Sequence, residues 1–150
     1  MTRVCLIGEP DSDLRTRLFE HEGSREALSA YDVRVPWQNT LEVTTVSLGA
    51  AVAFLNDIEW YLVRYTRDAI VNDSSISQTE WVSRAIATRI RDQSLDPSET
   101  ASLLKVYGVT PDEALVEPMY VQRVDDHIPA YDLGDVSDTL PVRITDEEFG

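Results

Sequence analysis

An α+β fold is predicted, with a small β-sheet packed against a long central helix and several shorter helices. Three observations predict it. The chain has 150 residues, which suits a single domain spanning 1–150. Leu48, Val52, Leu55, Ile58, Leu62, Tyr65 and Ala69 follow three-or-four spacing, the mark of one buried helical stripe. Short β-branched or alternating runs flank the helical stretches at both ends, which gives the order β, helices, β, three helices, two strands.

Arg3–Ile7 is rich in Val and Ile and closed by Gly8, so it reads as a strand. Glu9-Pro10-Asp11 is a turn, and Asp11 caps a helix over 12–22 ended by Gly23. Ser24 starts a second short helix through Tyr31, and 32–40 is a connection with at most a short strand at Val33–Val35. Leu41–Val46 alternates and reads as a strand. Ser47 then opens the long helix to about Val71, with Leu55 and Leu62 buried on it. Its small residues Gly49, Ala50, Ala51 and Ala53 suit close approach to a sheet. Ile76–Trp81 carries a Ser77-x-x-Glu80 capping box inside an Ile–Trp staple and starts a helix to Asp92. Asp96-Pro97-Ser98-Glu99 starts another over 97–107, with Lys105 in its last turn and Gly108 past it in a Schellman ending. Thr110–Glu113 makes a single turn, and Met119–Val124 and Leu140–Thr145 are strands joined by a polar loop with five aspartates.

The charge balance is unusual. Acids number 27 and basic residues 13, for a net charge of −14, and Lys105 is the single lysine beside twelve arginines. At about 1 M salt the Debye length is roughly 3 Å, so repulsion among surface carboxylates is nearly screened out while their solubilising effect remains. The composition therefore reads as adaptation to molar intracellular salt rather than as the mark of a basic partner. The longest uncharged stretch, Val43–Asn56, is 14 residues. That is short of the roughly 20 apolar residues a spanning helix needs. With no signal peptide at the start, the expected location is cytoplasmic, away from any membrane.

Candidate chemistry is sparse. One cysteine, Cys5, excludes an intrachain disulfide and reads as a small buried hydrophobe. Glu20-His21-Glu22 and Asp125-Asp126-His127 suggest a metal, but neighbours in sequence diverge on a helix, and His21 suits a solvated place at a helix end. Asp132–Asp138 resembles a calcium loop, yet position 12 of that frame is Arg143. Ser47-Leu48-Gly49-Ala50 after a strand offers a helix start to an anion, without a Walker or G-x-G-x-x-G pattern. No catalytic residue, metal ligand or cofactor is assigned. Segment 64–91 runs against the overall charge, with five arginines to three acids. Arg64 and Arg67 are placed together on one helix face, Arg84 and Arg91 on another, and Trp60 one turn before Arg64 can stack on it. These four arginines, Arg64, Arg67, Arg84 and Arg91, are the candidate partner-binding residues, set against internal pairing with the chain's own acids.

Several segments carry a family resemblance: Met1-Thr2-Arg3-Val4-Cys5-Leu6-Ile7-Gly8, Thr45-Val46-Ser47-Leu48-Gly49-Ala50-Ala51-Val52, Trp60-Tyr61-Leu62-Val63-Arg64, Lys105-Val106-Tyr107-Gly108-Val109, Val116-Glu117-Pro118-Met119-Tyr120-Val121 and Glu148-Phe149-Gly150. With these the chain resembles an uncharacterised family of halophilic archaeal proteins, a domain of unknown function. The resemblance implies a salt-rich cytoplasm and no particular activity. The leading expectation is a non-enzymatic interaction or regulatory module with a protein partner. A winged-helix-like nucleic-acid binder comes second, built on helices 78–92 and 97–107 before two strands. A small enzyme acting on an anionic substrate at the Ser47 helix start comes third.

Overall fold

The computed structural model describes residues 1–128 and 136–149, so the loop with only a superficial calcium-frame resemblance, Asp132–Asp138, lies largely outside the described residues. The described chain forms a seven-stranded mixed sheet with five short helices. In chain order these are β1 (Thr2–Gly8), α1 (Leu14–Glu20), α2 (Glu22–Leu28), β2 (Thr40–Thr45), α3 (Leu48–Asp57), α4 (Glu59–Tyr65), β3 (Thr66–Asp73), β4 (Trp81–Ser83), α5 (Arg84–Arg91), a 3₁₀ turn at Pro97–Glu99, β5 (Leu103–Val109), β6 (Leu115–Gln122) and β7 (Asp138–Arg143). The sheet order is β2-β1-β3-β4-β7-β5-β6. Neighbours are antiparallel except β4 and β7, which run parallel.

The expected small sheet on a long central helix is therefore overturned, and three local reasons explain why. The stripe from Leu48 to Tyr65 is real, with Val52, Leu55, Ile58 and Leu62 buried. But the helix breaks at Ile58, and α4 ends where Thr66 turns extended and its hydroxyl donates to the Leu62 carbonyl at 2.7 Å. From there Thr66–Asp73 pairs along β1 (Cys5 opposite Ile70, Val4 opposite Val71). Ala69 continues the helical spacing only by coincidence, since Ala69 and Val71 share a sheet face.

The capping box also misleads. Ser77 Oγ does accept from Glu80 N at 3.0 Å, as a cap would. The Glu80 carboxylate does not close the box. It lies between Arg123 Nη2, at 2.7 and 2.8 Å to its two oxygens, and Arg143 Nε at 2.8 Å. The chain leaves in strand β4, and the helix starts later at Arg84, capped by Ser83 Oγ accepting from Ile86 N at 3.2 Å. Ile76 packs on the helix-covered core and Trp81 on the opposite one, so no staple joins them. The third helix start yields one 3₁₀ turn. Asp96 accepts from Ser98 N at 2.9 Å, and Leu103–Val109 then becomes a strand hydrogen-bonded on both edges. The alternation of Leu104 and Val106 with Lys105 and Tyr107 suits a sheet with two distinct faces. With Pro97–Glu99 a single 3₁₀ turn and Leu103–Val109 a strand, the winged-helix arrangement loses its second helix.

Smaller departures follow the same logic. The first two helices are divided at His21 rather than ended by Gly23. Gly23 lies inside α2, where a Cβ would overlap the Tyr61 hydroxyl. Arg34 forms an isolated bridge to Glu42 in place of a strand at Val33–Val35. Gly108 sits in mid-strand at a register shift, and a Cβ there would stand 2.5 Å from Val136 and 2.7 Å from Val116.

One face of the sheet carries Val4, Leu6, Val43, Val71 and Val82 under all five helices. The other face buries Cys5, Ile7, Ile70, Trp81, Tyr107 and Val142, with Trp37 against it. The sheet covers this second face by curling. On a flat sheet β3 and β5 stand roughly 14 Å apart, three strand spacings. Here Asp68 Oδ2 on β3 meets Lys105 Nζ and Tyr107 Oη on β5, both at 2.6 Å. Gln38 before β2 likewise donates from its backbone to Glu113 of the β5–β6 turn at 2.9 Å.

Two predictions test this architecture. Burial alone would raise the Glu80 carboxyl, but hydrogen bonds and charge from Arg123 and Arg143 outweigh it and hold the group below its usual range. A depressed carboxyl stabilises the fold above its unfolded pKa of about 4.3, and that stability is lost as pH falls through the folded value. Thermal melts at fixed salt should show Glu80→Gln less stable at pH 7, with a shallower decline below pH 4 than the parent chain. The second concerns the tie across the curl. Lys105→Met leaves Asp68 without its cation and should cost on the order of 3–5 kcal/mol in urea unfolding. Adding Asp68→Asn should recover part of that loss, as coupling requires.

Candidate interaction surface

The four arginines are placed by three elements rather than by two helix faces. Arg64 is in the last turn of α4, Arg67 is the second residue of β3, and Arg84 and Arg91 are the two ends of α5. Arg64 lies flat on the Trp60 indole, 3.6 Å from the ring centroid, and donates to the Trp60 carbonyl at 2.7 Å. That stack is the one the four-residue spacing predicts. Arg67 pairs with Glu117 at 2.8 Å, Arg84 pairs with Glu59 and donates to Asn56 at 2.9 Å, and Arg91 pairs with its neighbour Asp92 at 2.9 Å.

In all three pairs the cation is the better buried partner. Arg67 is 20% exposed against 81% for Glu117, and Arg84 is 27% exposed against 51% for Glu59. Exposed carboxylates of this kind add little net stability. Arg67 and Arg84 line one shallow depression of about 240 Å³ together with Leu62, Val63, Thr66, Asp68, Ala69 and Glu148. Val63 on its rim is 71% exposed, and Trp60 one turn earlier is 51% exposed. Arg91 stands apart from this depression, seven residues along α5 on the face of Arg84.

The sequence reading missed Asp68, Glu148 and Val63 as members of this surface. Asp68 falls within the expected long helix but lies on β3, where it anchors Lys105 and Tyr107 behind the depression. Burial raises the Tyr107 phenol, and the Asp68 carboxylate raises it further, so the hydroxyl remains a donor. The usable signal was Lys105 itself, a lone lysine in a chain that otherwise uses arginine.

Other candidate chemistry is absorbed by structure. Burial, with Glu42 and Asp68 nearby, pushes the Cys5 thiol far up, against the requirements of a nucleophile. His21 is not freely solvated. Its Nε2 lies 3.0 Å from Tyr65 Oη, and the rings of Trp60, Tyr61 and Tyr65 surround it at 5.5–5.9 Å. Ser47 Oγ caps α3, accepting from Ala50 N at 3.0 Å, and a Cβ at Gly49 would meet the Ser47 Oγ at an ordinary 3.8 Å and no sheet atom, so close helix–sheet packing is not its reason. Among the described residues no group of three or more His, Cys, Asp and Glu is placed to hold a metal ion. In a depression of about 630 Å³ beside α1, Asp13 already caps the helix and Asn39 accepts from Leu14 N at 2.8 Å. No described helix is long and apolar enough to cross a membrane.

Comparison with curated proteins and with solved structures finds no match to either. A family match covers residues 2–109, from the first residue of β1 to the last of β5, and so takes in α4, β3 and α5 with all four arginines. On that match the chain belongs to the family described as "Family of unknown function (DUF5804)".

Proposed function

We propose that the chain is a non-enzymatic protein-interaction or regulatory module of a salt-rich cytoplasm. Its partner-facing side runs from Trp60 and Arg64 past Arg67 and Arg84 to Arg91. The observation that carries this reading is the depression itself. Two arginines line it, their own counter-ions are exposed, and an exposed Val63 and an arginine-stacked Trp60 stand beside it. Aromatic and arginine side chains are the types that dominate binding energy at protein interfaces. Arginine suits such a surface in high salt because it stacks and buries its stem while pairing with a carboxylate. Pure phosphate attraction would fall by roughly 0.9 logarithmic unit per contact for each tenfold rise in salt. A duplex-binding reading therefore has little to rest on.

Two outcomes are expected. A pull-down in about 1 M KCl with the parent chain retains a protein partner. Arg84→Ala with Arg91→Ala loses it while melting at an unchanged temperature. Equal capture by both chains, or tight sequence-selective DNA binding abolished by the double variant, overturns the proposal. The salt reading is separate. With a net charge of −14, the melting temperature should rise markedly from dilute buffer to molar KCl, and an equal or lower value there removes it.

A further inference from the structure

We infer that the partner of this surface presents an acidic–aromatic peptide segment, and that the chain's own turn Asp146–Phe149 holds that seat until such a segment displaces it. The inference rests on the interaction reading above and adds the class of partner. Glu148 lines the depression together with Arg67 and Arg84. Its Oε1 accepts from Ser83 Oγ at 2.7 Å, from Thr145 N at 2.9 Å and from Thr145 Oγ1 at 3.0 Å. The next residue, Phe149, packs edge-to-face on Tyr120 of β6, with ring centroids 6.1 Å apart. An acid that lines the depression, followed by an aromatic packed on β6, is thus the chemistry the chain itself presents there.

The turn is loosely held on either side of Glu148. Phe149 and Tyr120 are each 40% exposed, and Glu147 reaches Arg89 through an exposed pair at 3.2 Å. A competing segment can reproduce the acid and the ring. It can also cover Val63 and the Arg64–Trp60 stack, which the turn leaves exposed. Its carboxylates would replace Glu117 and Glu59 on Arg67 and Arg84, one exposed pair for another, with little net electrostatic change. The turn's advantage is effective concentration, in the millimolar range for a short tether. A free peptide should therefore bind the intact chain poorly and an emptied seat well.

The probe is a synthetic peptide with the sequence of residues 145–149, titrated into the isotope-labelled chain in about 1 M KCl and followed by backbone amide shifts. The Glu148→Ala/Phe149→Ala chain should bind it about tenfold or more tightly than the parent. Shifts should fall on Thr66–Asp68 and Ser83–Arg84, and adding Arg67→Ala should abolish binding. Phe149→Ala alone, which keeps the Glu148 contacts, should give an intermediate gain if the double variant folds poorly. Equal affinity for parent and variants, or no binding to any, overturns the inference. Binding matched by inorganic phosphate at the same concentration also overturns it, because the ring would then be irrelevant. If the parent chain still captures a partner that Arg84→Ala with Arg91→Ala loses, while the peptide fails, this inference falls and the interaction reading stands.

Discussion

One carboxylate governs the shape of this molecule. Asp68 Oδ2 receives Lys105 Nζ and Tyr107 Oη from a strand three places away in the sheet, while Oδ1 accepts from the Ala69 amide at 2.9 Å. A buried charge persists only when its lone pairs are met, and here they are met only if the sheet curls. The curl turns a sheet face that would otherwise be wet into a second core around Ile70, Trp81 and Val142. It also brings β6 near the start of β3, which is why Arg67 finds Glu117 and why Tyr120 is available to Phe149.

The two buried ionic clusters use different cations for a geometric reason. At Glu80 two guanidiniums approach from β7 and from just beyond β6, and Arg123 also donates to the Ala101 carbonyl at 2.7 Å. That fork suits joining several chain segments. At Asp68 the cation shares its acceptor with the Tyr107 phenol, whose ring centroid lies 5.9 Å from Nζ, and a compact ammonium suits a single shared oxygen. The sole lysine is thus placed inside, where its solubilising value is irrelevant, and the carboxylate excess is left to the surface. Arg67, Arg84 and Arg91 are the intermediate case, each less exposed than the acid it pairs with and engaged to a counter-ion that solvent can replace.

Most local sequence signals were accurate where their consequences stayed local, although α1 is capped by Asp13 and not by Asp11. The spacing of Trp60 and Arg64 implied a stack, and it is there. The run Val4-Cys5-Leu6-Ile7 implied a buried strand with an inert thiol, and Leu41–Val46 implied a strand that the structure places at Thr40–Thr45. Ser77 and Asp96 make the turn hydrogen bonds their caps imply. What those caps do not determine is the conformation that follows them. Glu80 is drawn away by arginines 43 and 63 residues distant, and Leu103–Val109 has strand neighbours on both sides that a local window does not contain.

The sequence by itself determined the polarity of the surface, the burial of Leu55 and Leu62, the turn chemistry and the identity of the unusual residues, because each depends on composition or on neighbours within a helical turn. Tertiary structure alone decided that residues 66–73 and 103–109 are strands, and that Arg67 and Arg84 share a depression with Glu148 while Arg91 does not. The reason is that apolar runs of this length satisfy helix and strand patterns alike. The choice passes to whichever edge of β1, β6 or β7 is waiting for hydrogen bonds, and the curl imposed by Asp68 then sets which side chains meet.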